Sequence, residues 1–99
     1  MEEAIKMAER AATYGDIPAG AVIVHGDKII ARGYNTREAK QDATGHAEIM
    51  AIREASEILG TWRLIDCDLY VTLEPCLMCA GAIIQARLRR VIFGAYDPK

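Results

Sequence analysis

Four residues of this chain have the types and the spacing that metal chemistry requires. His46 and Glu48 lie in the segment His46-Ala47-Glu48, and Cys76 and Cys79 lie three positions apart in Pro75-Cys76-Leu77-Met78-Cys79. A structural zinc site is closed by four protein ligands, whereas a catalytic site keeps three and leaves the fourth position to water. One imidazole and two thiolates therefore predict a catalytic zinc site, with Glu48 free to act on the bound water as a general base.

The cysteines and histidines of the chain also have simpler interpretations. A CxxC pair in a reducing compartment suits thiol redox chemistry, but that motif needs no upstream HxE segment. His25 stands beside the Gly26-Asp27 turn and is interpreted as a solvated residue. Cys67 is interpreted as a small buried residue, with a role as fourth zinc ligand as the minor alternative.

Composition and charge describe one small globular domain, residues 1–99. The chain is 52% hydrophobic and 26% charged, which suits a single core. The net charge of -2 supplies no overall attraction to nucleic acid, so such a partner needs a local basic patch. Arg87, Arg89 and Arg90 form the densest basic cluster, which is either a solvated surface or a nucleic-acid contact. The acidic start Met1-Glu2-Glu3 and the absence of a long apolar run predict a cytoplasmic protein without membrane partners.

Hydrophobic periodicity predicts the elements that position the four residues. Helices are expected at residues 2–14, 47–59 and 76–86, and Gly15 and Gly60 end the first two. Strands are expected at residues 19–24, 28–34, 68–73 and 90–95, with the first pair forming a hairpin and the last pair running parallel across a helix. The order predicts an α/β sandwich of three layers, with a mixed sheet of about four strands flanked by helices.

The predicted elements place both ligand groups at the start of a helix. A helix N-terminus carries unpaired N–H groups and a partial positive charge, which favours the thiolate at Cys76 and Cys79. His46 arrives from the neighbouring helix, and Glu48, two residues on, points away from the direction of His46. Two facing helix starts can thus build one metal site.

With these motifs the chain resembles the cytidine and deoxycytidylate deaminase superfamily, and within it the bacterial tRNA-specific adenosine deaminases. The resemblance covers nearly the whole chain. Beyond the zinc motifs it includes residues 15–22 (GDIPAGAV), 69–76 (LYVTLEPC) and 78–83 (MCAGAI). It implies a cytidine-deaminase-like fold and a homodimer.

The resemblance also implies an activity and a role for each site residue. Zinc held by His46, Cys76 and Cys79 would activate water for attack on C6 of adenine, with Glu48 moving the protons. Adenosine in the tRNA anticodon loop, or in single-stranded nucleic acid, would become inosine. Asn35 matches the family position whose side-chain amide binds the purine, a role compatible with that of a turn residue.

Three departures from the family pattern set further expectations. Family members continue beyond Asp97-Pro98-Lys99 with further elements, so a C-terminally truncated domain is expected, with the strand at residues 90–95 left as a sheet edge. Ala19 stands where a larger aliphatic residue is common. Gly45 stands where alanine is commoner and is expected to loosen the helix start at His46. Two other functions stay open: deamination of free guanine or cytosine-type bases, and a truncated, inactive zinc-binding subunit.

Overall fold

Seven elements follow one another in a computed structural model that describes residues 1–95. They are α1 (Glu2–Thr13), β1 (Gly20–His25), β2 (Lys28–Tyr34), α2 (Ala47–Leu59), β3 (Cys67–Leu73), α3 (Leu77–Gln85) and β4 (Arg90–Ala95). All seven predicted elements are present, and their ends differ from the predicted ends by at most one residue. Residues 96–99 of the predicted domain lie outside the described part. None of the helices within residues 1–95 is long and apolar enough to cross a membrane.

The four strands form one mixed sheet in the order β2-β1-β3-β4. β1 runs antiparallel to both β2 and β3, and β3 runs parallel to β4. Consequently β2, β3 and β4 point in the same direction, and α2 and α3 are the crossovers between them. The predicted hairpin with parallel crossovers is confirmed. Among the described residues β4 is an outer strand of the sheet, as expected.

Helices cover both faces of the sheet, which gives the predicted three layers. A Cβ on Gly20 would meet the backbone of α1 at Ala4 and Ala8, whereas a Cβ on Gly33 would meet the backbone of α2 at Ala47 and Ala51. Gly33 pairs with Ala21, the residue next to Gly20, so Gly20 and Gly33 face opposite sides of the sheet. The two sides therefore carry different helices. The core on the α2 and α3 face contains Ala21, Ile23, Ala31, Ala47, Ala51, Ala55, Leu69, Val71 and Ile83.

Replacing Gly33 with alanine is expected to destabilise the fold by about 1–3 kcal/mol through overpacking. The new Cβ would overlap the Ala47 carbonyl and lie 2.6 Å from the Ala51 nitrogen, so α2 would have to move away from the sheet. Zinc affinity should fall as well, because α2 carries His46 at its start. Urea unfolding and zinc titration measure both effects. Gly81→Ala is the matched control, since a Cβ there meets nothing within 4 Å. Equal stability of the Gly33→Ala protein and the parent would contradict this packing.

Two of the three arginines in the basic cluster, Arg89 and Arg90, form ion pairs that join two strands. Arg89 donates to both carboxylate oxygens of Asp68 at 3.0 and 2.9 Å, and Arg90 adds a third bond at 2.8 Å. Asp68 is only 5% exposed. These hydrogen bonds from Arg89 and Arg90 hold the pKa of Asp68 well below its usual range. The ion pairs join the start of β3 to the start of β4.

Replacing Asp68 with asparagine is expected to cost about 1–2 kcal/mol at neutral pH, because both arginines are more than half exposed and solvent screens them. The folded-state pKa lies below the unfolded value of about 3.9, so this stabilisation is fully present above that pH and is lost as pH falls toward the folded value. The stability difference between parent and variant should therefore shrink in acid. Urea titrations across that range measure it, with Asp66→Asn, a change at an exposed residue, as control. A difference independent of pH would contradict the assignment.

Candidate active site

The starts of α2 and α3 meet at the edge of the sheet where β2 and β3 end. His46 is the N-cap residue of α2, Cys76 is the N-cap residue of α3, and Cys79 lies in the first turn of α3. Neither N-cap side chain makes a capping hydrogen bond. The side chains of His46 and Cys76 are therefore available to bind a metal.

The three predicted ligand residues lie at the separation that a tetrahedral zinc requires. Their ligand atoms all lie within 4.8 Å of one another. His46 Nδ1 lies 3.5 Å from the sulfur of Cys76 and 3.5 Å from that of Cys79. Zinc bonds of about 2.3 Å to sulfur and 2.0–2.1 Å to nitrogen, at tetrahedral angles, place N and S about 3.5 Å apart. The donor set fits zinc, and the structure selects Nδ1 as the ligand atom of His46.

Burial and a neighbouring charge affect the protonation of the site. Burial raises the pKa of the Cys79 thiol, and the nearby charge of Glu48 raises it further. Both effects oppose the thiolate that the helix start is expected to favour at Cys79, so a thiolate there stays a prediction for the metal-bound site. A thiol of this kind is deprotonated when a cation binds it, so metal binding releases a proton. Burial also raises the pKa of the Glu48 carboxyl.

A cleft of about 370 Å³ opens onto His46, Cys76 and Glu48, and Cys79 lies buried behind it. Glu48 is 6% exposed and lies on the cleft wall, although it follows His46 by only two residues. This position is compatible with the role predicted for Glu48, that of a carboxylate acting on a group beside the metal. The remaining cleft wall is both apolar and polar, and it consists of Ile17, Ala19, Val71, Leu73, Asn35, Arg37, Ala47 and Glu74.

Asn35 lines the same cleft and forms the turn that its residue type predicts. Its Oδ1 accepts the N–H of Arg37 at 3.0 Å, and its own N–H donates to the Ala19 carbonyl at 3.1 Å. Within residues 1–95 every buried side-chain nitrogen and oxygen has a hydrogen-bond partner. Asn35 Nδ2 makes no hydrogen bond to these residues, so this atom is not buried. The Nδ2 group is therefore accessible from the cleft. The turn uses Oδ1 of the Asn35 amide, whereas a contact with a substrate would use Nδ2 of the same amide.

Gly45 is closely packed at the entry to α2, and the looser helix start expected for it stays a prediction. Its carbonyl accepts the N–H of Thr36 at 2.7 Å, and its N–H donates to the Asp42 carbonyl at 2.9 Å. A Cβ at this position would lie 2.9 Å from the Thr36 hydroxyl and 3.0 Å from the Arg37 nitrogen. Glycine permits this close packing beside His46.

Other residues from the sequence analysis lie away from the cleft. Arg89 and Arg90 bind Asp68 at the opposite end of β3, and Arg87 lies 5.8 Å from the ring centre of Trp62. A nucleic-acid contact at this cluster stays a prediction. Cys67 is buried and His25 is exposed, as expected.

Sequence reasoning assigned no site role to five residues of the cleft wall, which are Ile17, Arg37, Val71, Leu73 and Glu74. Arg37 lies two residues after Asn35, and Glu74 lies one residue before Pro75. Four of the five lie in the segments 15–22 and 69–76 that resemble the family, whereas proximity to Asn35 was the signal for Arg37.

The fold and the site together define a class: an α/β sandwich with a three-ligand zinc site at two helix starts. The chain belongs to the family described as the cytidine and deoxycytidylate deaminase zinc-binding region, which matches residues 1–95.

Similar proteins include enzymes that act on tRNA. The chain is 54% identical over 99 residues to the tRNA-specific adenosine deaminase of Bacillus subtilis (strain 168), a match that covers 100% of this chain and 62% of that protein. It is 57% identical over 95 residues to the chloroplastic tRNA(adenine(34)) deaminase of Arabidopsis thaliana, covering 96% of this chain and 7% of that protein. The chain thus spans less than two thirds of the length of these relatives.

Solved structures agree on the fold. A structure from a study of A-to-I editing by tRNA:A34 deaminases at the wobble position of transfer RNA superposes with a TM-score of 0.96 at 51% identity, covering 99% of this chain and 75% of that chain. The guanine deaminase from Bacillus subtilis superposes with a TM-score of 0.92 at 44% identity, covering 96% and 61%. The cytidine-deaminase-like fold that the resemblance implied is confirmed.

Proposed function

We propose that this chain is a zinc-dependent hydrolase that converts adenosine to inosine in the anticodon loop of tRNA. The observation that carries the proposal is the position of Glu48, a buried carboxylate in the same cleft as a three-ligand zinc site. A closed structural site would need a fourth protein ligand, and it would have no use for an unligated carboxylate beside the metal. The names of the relatives support adenosine and tRNA as the substrate.

The residues divide the chemistry between holding the metal, moving protons and holding the base. His46, Cys76 and Cys79 would hold the zinc, which would supply an acidified water for attack on the amine-bearing carbon of the ring. Glu48 would take a first proton from the water and pass it to the ring nitrogen. It would then take the second proton from the new hydroxyl group and pass it to the amine, so that the C–N bond breaks and ammonia departs. A carboxyl whose pKa is raised by burial suits a group that both takes and gives protons near neutral pH.

The cleft suits a single flipped base. Ile17, Val71 and Leu73 offer apolar contact to a ring, and the accessible Nδ2 of Asn35 offers a hydrogen-bond donor to a ring acceptor. A base within a stacked helix cannot reach such a wall, so the substrate nucleotide must be unpaired, as in a loop.

Mass spectrometry of an anticodon stem-loop incubated with the zinc-loaded protein tests this function, because one mass shift reports both the reaction and the base. A panel of free guanine, cytosine and adenosine, read by ammonia release, is the second arm. Turnover of a free base without turnover of the stem-loop would favour the free-base deaminase. One bound zinc per chain with no turnover of any substrate would favour an inactive zinc-binding subunit.

We further propose that the protein acts as a homodimer in the cytoplasm. Apolar side chains on α2 and α3 are exposed: Ile58 by 56%, Leu77 by 91% and Ile84 by 66%. A contiguous exposed apolar patch is typical of a surface that another chain covers, and these three residues are the candidates for such a patch on α2 and α3. Ile84→Asp is expected to shift the mass measured by light scattering from two chains to one, and an unchanged mass would count against this surface. The cytoplasm suits the site because Cys76 and Cys79 must stay reduced to bind zinc.

A further inference from the structure

Another buried carboxylate, that of Asp16, lies outside the metal site and has no part in the chemistry above. Asp16 is 6% exposed and is held by the end of α1. Gly15 donates to the Ala12 carbonyl and Asp16 donates to the Ala11 carbonyl, both at 3.0 Å, and Gly15 has φ +77°. This is the Schellman arrangement of a helix end, so the Asp16 carboxylate is presented from a rigid position.

Both oxygens of Asp16 bind the segment that joins β2 to α2. Oδ1 accepts the N–H of Glu38 at 3.1 Å, and Oδ2 accepts the N–H of Ala39 at 2.9 Å. Burial opposes ionisation of Asp16, but the N–H donors of Ala39, Glu38 and Ile17, together with the charge of Arg37, lower its pKa overall. The two bonds are therefore charge-assisted and stronger than bonds between neutral groups.

The segment that Asp16 holds carries a site residue at each end, Asn35 and His46. At the Asn35 end, the N–H of Arg37 fixes the side-chain oxygen of Asn35 at 3.0 Å. At the other end, His46 belongs to α2, which packs on the sheet through Ala47 and Ala51 whether or not Asp16 is present. Loss of the Asp16 contacts should therefore displace Asn35 more than His46.

We propose that Asp16 is a positioning residue for the base-binding wall of the cleft: it holds Glu38 and Ala39, and through the adjacent Arg37 it orients the amide of Asn35. Ile17 and Ala19 follow Asp16 in the chain and line the same cleft, so one carboxylate joins two parts of its wall. The contact itself is independent of the reaction, whereas its effect on substrate binding rests on the proposed function.

Asp16→Asn is the variant that tests this role, because it keeps the size of the side chain and replaces one acceptor oxygen by a donor. KM for the anticodon stem-loop is expected to rise about tenfold, the change that corresponds to the weakening of one hydrogen bond between the protein and its ligand. The kcat and the zinc content should change little. Asp27→Asn, at an exposed carboxylate in the β1–β2 turn, is the matched control and should leave KM unchanged.

Two further measurements separate positioning from general stability. Amide exchange at Glu38 and Ala39 should accelerate in Asp16→Asn and not in Asp27→Asn. In an Asn35→Ala background, Asp16→Asn should add little to KM, since both changes act through one amide. Unchanged exchange at Glu38 and Ala39, or additive effects on KM, would overturn the role of Asp16. A parent protein that deaminates no stem-loop would overturn the proposed function instead, and the exchange rates would still decide the contact.

Discussion

The Glu48→Ala protein is expected to lose deaminase activity by about 10²–10⁴-fold, the usual contribution of a positioned general acid–base group. Glu48 is 6% exposed in the cleft beside the three ligand residues, and no other carboxylate on the described cleft wall lies on the helix that begins at His46. Alanine can neither take a proton from water nor return one to the leaving amine. Inosine formation in the stem-loop, followed by mass spectrometry, measures the loss.

The zinc content separates a proton-transfer role from a ligand role. The Glu48→Ala protein should still bind one zinc per chain, because His46, Cys76 and Cys79 remain. Glu48→Gln keeps the size of the side chain and should be as inactive as the alanine variant. Glu54→Ala, at an exposed glutamate on the same helix, is the matched control and should retain the parent rate. Parent-level activity in Glu48→Ala would show that another group moves the protons.

The Cys79→Ser protein is expected to lose zinc, with an affinity more than about 100-fold below that of the parent. That factor is the upper value for loss of an outer-shell partner, and Cys79 is itself a ligand. Cys79 is fully buried and its sulfur lies 3.5 Å from His46 Nδ1, so serine leaves a poor donor at the centre of the site. Metal analysis after dialysis against a chelator measures the change, and activity should fall with it.

The thermal stability of the parent and of Cys79→Ser should also respond differently to zinc. Zinc binds the folded chain, so adding zinc should raise the thermal midpoint of the parent and not that of Cys79→Ser. Cys67→Ala is the control, because Cys67 lies at the far end of β3 and is not part of the metal cluster found among residues 1–95. Equal zinc content in Cys79→Ser and the parent would remove Cys79 from the ligand set. Loss of zinc in Cys67→Ala would return Cys67 to that set.

Local patterns in the sequence were sufficient to predict the helices and strands. The helix ends at Gly15 and Gly60 were predictable because both positions need positive φ, and they have φ of +77° and +68°. The hairpin was predictable from the turn at Gly26-Asp27, and the parallel pair β3 and β4 from the helix between them. Each of these features depends on residues close together in the chain.

Features that depend on burial or on distant contacts were not predictable in this way. The start of α3 predicted a thiolate at Cys79, but it did not indicate that burial and Glu48 raise the pKa of that thiol. Gly45 was expected to loosen the start of α2, and nothing in the sequence indicated that the packing of Thr36 and Arg37 leaves little room for a Cβ there. Asp16 lies in a segment that resembles the family, but its contacts were not predictable, because its partners Glu38 and Ala39 lie more than twenty positions away.

The sequence by itself determined which residues can bind zinc and which carboxylate remains to move protons, because HxE and PCxxC carry that chemistry in their residue types. Only the tertiary structure decided that Nδ1 of His46 lies beside the two sulfurs, that Asn35 and Glu48 line the same cleft, and that Asp16 binds Glu38 and Ala39 in the segment between them. The physical reason is that ligand identity is a local property of the chain. The direction of a side chain, its burial and its partners arise only when β2, β3 and the starts of α2 and α3 come together at one edge of the sheet.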